Sequence, residues 1–434
     1  MANGEGSEPL LDVRDLTTRF FTEEGQVNAV ESVDFTVHDG EVFGVVGESG
    51  SGKSVTALSL IDLVEPPGEI VAGEVWYRDA DLASEMADSH PEAVDGDAVD
   101  LQRVPPEVRR SLRGSSMSMI FQDPMSSFNP SITVGEQIAE AVEVQRRASA
   151  TPRSTRSRTQ GFGLGSMLAS TIVPTRDYVG DESHDRAIEL LGQVGIPDPE
   201  ARAEEYPHQY SGGMLQRAMV AQALAGEPDL LIADEPTTAL DVTIEAQILN
   251  LLADLQEELG MAIVLITHDL GVIARTCDRL GVMYAGEIVE HGSLDDVFDS
   301  PVHPYTEGLL GSIPDLDDPA PRLDPIEGNV PSLLAEEMDD RCYFADRCPK
   351  AMDECLDKPP TFAVDGDGVA EGANAAEADA TGADTAGSNR PGDAPRGDAT
   401  THTAKCYLAD HAFDEARALP EGYFDESAEG ETDR

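Results

Sequence analysis

EVFGVVGESGSGKSVTALSLIDLV, residues 41 to 64, is the stretch that decides the fold. Its first part, EVFGVVG (41 to 47), is a short apolar run of the kind buried on both faces of a parallel sheet. Its last part, SVTALSLIDLV (54 to 64), carries apolar residues at helical spacing and is ended by PPG. Between them GESGSGKS (47 to 54) fits G-x-x-x-x-G-K-[ST] in the strand-to-helix setting that gives this pattern its meaning. Gly47, Gly50 and Gly52, with Glu48, Ser49 and Ser51 between them, form a loop whose backbone N–H groups can curl around phosphate oxygens. The helix N-terminus adds its partial positive charge, Lys53 reaches the β and γ phosphates, and Ser54 supplies an oxygen to Mg²⁺. The alternative, an ordinary Gly/Ser loop, leaves the strand, loop and helix order unexplained.

Working outward, LLDVRDLTTRFF (10 to 21) and VNAVESVDFTV (27 to 37) flank the turn-like EEGQ and predict an antiparallel hairpin. PDLLIADEP (228 to 236) and MAIVLITHD (261 to 269) predict central parallel strands. TIEAQILNLLADLQEELG (243 to 260) predicts a helix closed by Gly260. The alternation implies an α/β doubly wound sheet. Asp234, at the end of an apolar strand, is the second acid that a phosphate loop needs for magnesium. Glu235 follows at once and can take a proton from an attacking water, the alternative being a solvated charge that caps the strand.

The charge balance excludes other classes. With 84 acidic against 29 basic residues the net charge is -55, a field that repels polyphosphate, so no nucleic-acid partner is expected. The acids are spread along the whole chain and only Lys53, Lys350, Lys358 and Lys405 are lysines. This is a halophile's composition, tolerable once salt shortens the Debye length to roughly 3 Å at about 1 M; acidic disordered tails are the alternative for residues 80 to 107 and 361 to 404. The longest apolar candidate, MAIVLIT (261 to 267), is far short of a membrane span, and MANGEGSEPL has neither basic nor apolar signal character, so a cytoplasmic protein is expected.

Further segments carry a family likeness. YSGGMLQR (210 to 217) resembles the ABC transporter signature, with Tyr210 and Met214 departing from LSGGQ and Ser211, Gly212 and Gly213 intact. MIFQDP, TALD and LITHD then supply a Q-loop Gln122, a D-loop Asp241 and a switch His268. The resemblance covers roughly residues 10 to 313 and is closer to ATP-binding subunits of dipeptide and oligopeptide importers, which are similar in FQDPMSSFNP (121 to 130), HPYTEGLLGSIP (303 to 314) and RCYFADRCPKAMDEC (341 to 355). Nickel importers belong to the same wider group.

That resemblance implies an ABC-type P-loop NTPase with a RecA-like core, an antiparallel β part and an α-helical subdomain. It implies a nucleotide-binding domain over 1 to 313, with the helical subdomain at about 123 to 228, and a Cys-containing extension over 314 to 434. It also implies ATP hydrolysis with Mg²⁺ on Ser54, Gln122 and Asp234, catalysis by Glu235, His268 and Gln122, and adenine stacking on Phe20, with Phe21 as the weaker candidate. By the same resemblance two cassettes pair head to tail, Ser211 and Gly213 of one closing on the γ-phosphate held by the other, and Gly212 and the D-loop Asp241 also belong to the nucleotide site. Two permease subunits and, indirectly, an extracellular solute-binding protein complete the assembly at the cytoplasmic face of the membrane. Without the resemblance Phe20 reads as a core residue of the hairpin, Gln122 as a polar loop residue and His268 as a strand-end imidazole bonded to backbone. A soluble ABC ATPase acting on ribosomes or DNA ends is the rival; one cassette, no heptads and strong negative charge oppose it.

Cys342, Cys348, Cys355 and Cys406 have the spacing C-x5-C-x6-C-x50-C, a poor match to paired zinc ligands. Some dipeptide-importer ATPases carry a similar tail that holds a [4Fe-4S] cluster, and that is the expectation here beside zinc or unliganded thiols. Cys277 reads as packing. Residues 80 to 107 and 144 to 180 read as surface insertions, and 361 to 404 as a disordered acidic loop. From Val144 to Arg176 there is no acid but six arginines, at 146, 147, 153, 156, 158 and 176, a positive island suited to anionic headgroups or an acidic permease loop, or else inert.

Overall fold

The apolar run before the glycine loop becomes a fully covered strand and the one after it a helix in the computed structural model, which describes residues 8–150, 179–238, 240–312, 326–364, 401–413, 416–420 and 423–424. In chain order, β1 (Leu11–Thr22) and β2 (Gly25–Val37) precede β3 (Val42–Val46), α1 (Lys53–Leu60) and β4 (Gly68–Arg78). Then come α2 (Ala80–Met86), β5 (Val94–Asp95), β6 (Ala98–Asp100), α3 (Pro106–Leu112), β7 (Met117–Ile120) and α4 (Pro124–Ser127). A helical group follows: α5 (Val134–Ala150), α6 (Asp181–Gln193), α7 (Pro199–Ala203) and α8 (Gly212–Ala223). The chain returns through β8 (Leu230–Asp234), α9 (Val242–Leu259), β9 (Ala262–Thr267), α10 (Leu270–Thr276), β10 (Arg279–Tyr284) and β11 (Glu287–Ser293). It continues with α11 (Leu294–Asp299), α12 (Pro304–Gly311), β12 (Phe362–Ala363) and β13 (Thr403–Ala404).

The larger sheet runs β12-β13-β11-β10-β3-β9-β8-β7, with β10, β3, β9, β8 and β7 parallel. All residues of β3, β8 and β9 are buried, which is why each reads as an unbroken apolar run. α9 behaves as its sequence predicts. Asp241 accepts from the backbone N–H of Thr243 (3.1 Å) and Ile244 (3.0 Å) at its start, and Gly260, in the left-handed conformation, ends it. Its buried residues Ile248, Leu249, Leu252 and Leu255 fall three or four apart, and burial of each is worth roughly 1.5 to 3 kcal/mol.

A second, antiparallel sheet runs β2-β1-β4-β6-β5. The predicted hairpin is its first pair, with Thr22 opposite Gly25 at the turn. The Phe35 and Phe43 rings stack at 5.0 Å and join this sheet to β3. Residues 80 to 107 are not a surface insertion. They form α2, β5, β6 and the start of α3, and bury Leu82, Met86, Val99, Leu101 and Val104 in the core between the sheets. Each element there is too short for periodicity to show, and the interleaved acids stay outside; the exception, Asp100, is fully buried and accepts from the Val75 and Gln102 N–H groups at 3.2 and 3.0 Å.

The positive island is corrected at its start. Arg146 and Arg147 lie in α5 and pair with Glu143, at 3.0 and 2.7 Å, the acid one residue before the acid-free stretch. Arg153, Arg156, Arg158 and Arg176 lie outside the described residues. So does most of the acidic loop expected over 361 to 404; its two ends are ordered as β12 and β13, which pair with each other and extend the larger sheet through β11. No helix among the described residues is long and apolar enough to cross a membrane.

Candidate active site

The site lies at the carboxyl ends of β3 and β8, where a parallel sheet leaves loops free to hold a ligand. β3 runs into the loop at Gly47. Two of its glycines cannot be replaced: a Cβ on Gly47 would lie 2.1 Å from the Met283 carbonyl oxygen, and Gly52 combines φ +105° with a Cβ position 2.3 Å from the Ala29 oxygen. Lys53 opens α1 with its side chain folded back over the loop, Nζ donating to the Gly47 and Glu48 carbonyls at 2.7 and 2.9 Å. Burial lowers the Lys53 pKa, while the charges of Glu235, Asp234 and Glu48 pull it back up.

The neighbouring carboxylates at the end of β8 are turned to different tasks. Asp234 is buried and accepts from Ser54 Oγ at 3.0 Å. Burial raises its pKa, with the Glu235 charge adding to the rise and Ser54 and Lys53 opposing it. Glu235 sits at φ +46°, a left-handed conformation that a residue other than glycine adopts only where its surroundings fix it. That turn aims its carboxylate away from Asp234. Oε2 accepts from Gln122 Nε2 at 2.9 Å and Thr238 Oγ1 at 2.8 Å, and Oε1 lies 3.3 Å from His268 Nδ1. Burial would raise the Glu235 pKa, but the Thr238 and His268 bonds and the charges of His268 and Lys53 outweigh it and hold it below the usual range.

Ser54 is therefore bonded to Asp234 and Gln122 and His268 to the adjacent Glu235, while Lys53, next to Ser54, bonds to the carbonyls of the loop itself. Thr238 is bonded to Glu235 too and was not legible in advance; its place three residues after Glu235 was the only signal. Ser211, Gly212, Gly213 and Asp241 stand apart. Ser211 caps α8, accepting from Met214 N–H at 3.3 Å, and Asp241 caps α9, while Ser211, Gly212 and Asp241 are exposed. Gly213 lets α8 approach α9 closely, since a Cβ there would lie 2.7 Å from Ile244 Cγ2. Phe20 is half-buried on β1 with its ring against Gly68, and Phe21 beside it is 48% exposed.

The ABC transporter family profile matches residues 30–238, and that of the oligopeptide/dipeptide transporter C-terminal region matches 289–355. Over 358 residues the chain is 43% identical to a putative peptide import ATP-binding protein of Brucella abortus, covering 82% of this chain and 92% of that protein. The chain belongs to the peptide and dipeptide importer family of ABC ATP-binding proteins. Two other relatives of this ABC ATP-binding protein are the dipeptide transport ATP-binding protein DppD of Escherichia coli, 42% identical, and the oligopeptide transport ATP-binding protein AppD of Bacillus subtilis, 41% identical. Each alignment covers 83% of this chain and 94% of the relative.

In this ABC protein the cysteine-bearing segment folds back onto the cassette. Burial pushes the Cys342 and Cys348 thiols up to about 12 and raises Cys355 and Cys406 as well, and Cys406 feels the charges of the other three. The Cys355 sulfur accepts from the Met352 N–H at 3.5 Å. Among the described residues, however, no group of three or more His, Cys, Asp or Glu side chains is arranged to hold a metal ion, so the geometry does not meet the iron-sulfur expectation. Cys277 follows α10 and is buried, its Sγ against Gly44 of β3, as packing requires. The same segment brings Arg347 to Glu48 of the phosphate loop.

Proposed function

We propose that this chain is the ATP-hydrolysing subunit of a binding-protein-dependent importer of dipeptides or oligopeptides. The observation that carries the reading is the threefold hold on Glu235 by Gln122, Thr238 and His268, beside a phosphate loop whose Ser54 meets Asp234. ATP lies on the 47 to 54 loop, its phosphates taken by backbone N–H groups and by Lys53, its adenine against Phe20. Ser54, Asp234 and Gln122 offer oxygens of the hard type Mg²⁺ prefers, and an ion held by them would neutralise charge developing on the phosphates. Glu235, kept ionised by its partners, takes the proton of the attacking water, and His268 orients water and γ-phosphate.

Ser211 to Gly213 and Asp241, of which Ser211, Gly212 and Asp241 are exposed, face a second cassette, identical or paralogous, docked head to tail. Closure and reopening of that pair drives two permease subunits, with the extracellular solute-binding protein delivering the peptide and this chain peripheral at the cytoplasmic face. The division into a cassette over 1 to 313 and an extension over 314 to 434 belongs to the same reading. So do the salt-adapted surface and the use of the four thiols as ligands of a [4Fe-4S] cluster, a reading that rests on the likeness to cluster-bearing tails and not on how the thiols are arranged here. The test is reconstitution in vesicles with this chain's cognate permease and binding protein. ATP hydrolysis stimulated by peptide-loaded binding protein, with peptide uptake, is expected; uptake of nickel or a sugar in place of peptide would overturn the substrate assignment.

A further inference from the structure

The phosphate loop contains one acid, Glu48, in a place where the ligand is polyanionic. Its carboxylate does not face solvent alone. Arg347, 299 residues away in the C-terminal segment, meets it side-on: Nη1 donates to Oε2 at 2.7 Å and Nη2 to Oε1 at 3.0 Å. This is the two-bond fork that a guanidinium makes and an ammonium cannot. The Arg347 side chain is only 5% exposed. Its Nε donates to the Glu327 carbonyl at 3.0 Å, and its guanidinium lies over the rings of Tyr284 and Phe344 at 5.7 and 5.8 Å. Those two rings meet edge to face at 5.2 Å, and Tyr305 packs on both. Pairing with Glu48 more than offsets burial and raises the Arg347 pKa, so the guanidinium is charged at any working pH.

Glu48 is held at its other two polar points as well. Its N–H donates to the Tyr305 hydroxyl at 2.9 Å, and its carbonyl accepts from Lys53 Nζ at 2.9 Å. Tyr305 belongs to α12 and Arg347 to the segment that follows the cassette, so the loop's second residue is fixed from outside the strand, loop and helix that define it. We propose that Arg347 is a positioning residue of the nucleotide site, holding the phosphate loop through Glu48 and cancelling the negative charge this acid brings beside the phosphates. The inference rests on the reading of residues 47 to 54 as the ATP site. It gives the C-terminal segment a direct part in nucleotide affinity that does not depend on what its cysteines bind.

The test uses the full-length protein and its variants R347Q, R347K, E48Q and the double variant E48Q/R347Q, with a fluorescent ATP analogue for affinity and phosphate release for turnover. R347Q leaves an unpaired carboxylate in the loop, and the ATP KM and the analogue's Kd are expected to rise about tenfold while kcat stays within about twofold. R347K, which keeps charge and loses the fork, should fall between. The decisive arm is the double variant: with no charge left to cancel, E48Q/R347Q should recover most of the lost affinity. A purely structural arginine would instead lower the melting temperature and the active fraction without moving KM, and the second substitution would rescue nothing. An unchanged KM in R347Q, or a double variant as weak as R347Q, overturns the inference. A wild type that binds no analogue overturns the nucleotide-site reading itself, a result distinguishable from either.

Discussion

Ser54 Oγ donates to Asp234 Oδ1 at 3.0 Å, joining the first residues of α1 to the last residue of β8 across 180 positions of sequence. Because β9 lies between β3 and β8 in the sheet, this bond spans a strand and fixes the gap in which the phosphates and Mg²⁺ must fit. The two oxygens are a hydroxyl and a carboxylate, donors that suit a small hard cation keeping much of its own water. Asp234→Ala should therefore abolish Mg²⁺-dependent turnover, whereas metal-free nucleotide binding, which depends on the loop N–H groups and Lys53, should fall far less. Isothermal titration with and without Mg²⁺ separates the two.

Glu235 is expected to be the base. Glu235→Gln keeps the size and the Gln122 and Thr238 neighbours but cannot accept a proton, so turnover should drop about 10² to 10⁴-fold with ATP still bound. The ATP-bound dimer should accumulate on size-exclusion chromatography. Hydrolysis at the wild-type rate in this variant would remove Glu235 from the mechanism.

The pH profile follows from the same carboxylate. A base whose pKa is held below the usual range stays ionised as pH falls, so activity is retained down through mildly acidic pH and lost only as Glu235 protonates below the ordinary carboxylate range. His268→Ala removes a hydrogen bond and a nearby positive charge, both of which lower that pKa. The acidic limb of kcat against pH should move upward in the variant, in addition to any loss of rate. An unmoved limb would mean that another group sets it.

Most of this site was readable because its residues sit in contiguous runs whose strand and loop context is local: the loop at 47 to 54, LLIAD before Glu235, and LITHD. What sequence could not show was which side chains from distant elements complete it. Tyr305 and Arg347 lie within segments that resemble the family, yet nothing in HPYTEGLL or RCYFADRC says that a hydroxyl and a guanidinium end on Glu48. Residues 80 to 107 failed for a different reason. Acids and prolines dominate their composition, while the few apolar side chains that fold them are spread over elements of seven residues or fewer.

Salt should be needed for stability. A net charge of -55 over 434 residues repels itself until the Debye length falls to a few ångströms. Thermal unfolding in KCl should show a melting temperature that climbs steadily between ~0.05 M and ~3 M salt. Equal stability at the two ends would reject adaptation to high salt.

The [4Fe-4S] proposal is tested by purification without air: it requires a brown protein with iron and acid-labile sulfide, both lost on substitution of Cys342, Cys348, Cys355 or Cys406. Stoichiometric zinc without iron would make the site structural. Metal-free protein with four titratable thiols would make the segment a packed thiol core.

Arg146 and Arg147 should matter to folding and not to membrane attachment. Glu143 is buried, accepts from Ser183 Oγ at 2.6 Å and is paired by both arginines, so it ties α5 to α6. Burial raises its pKa, but the bonds from Ser183, Arg147 and Arg146 prevail and hold it below the ordinary value. A depressed carboxylate of this kind adds stability that is present above its unfolded pKa and lost as pH falls through the folded one. The double substitution of Arg146 and Arg147 by Ala leaves the buried carboxylate with Ser183 alone, at a cost of about 1 to 3 kcal/mol near neutral pH. Protonating Glu143 removes the charge that needs pairing, so the gap between variant and wild type should narrow toward acidic pH. Chemical denaturation at several pH values measures this directly. A variant as stable as wild type at neutral pH, yet released from permease-containing membranes, would return both arginines to the positive island.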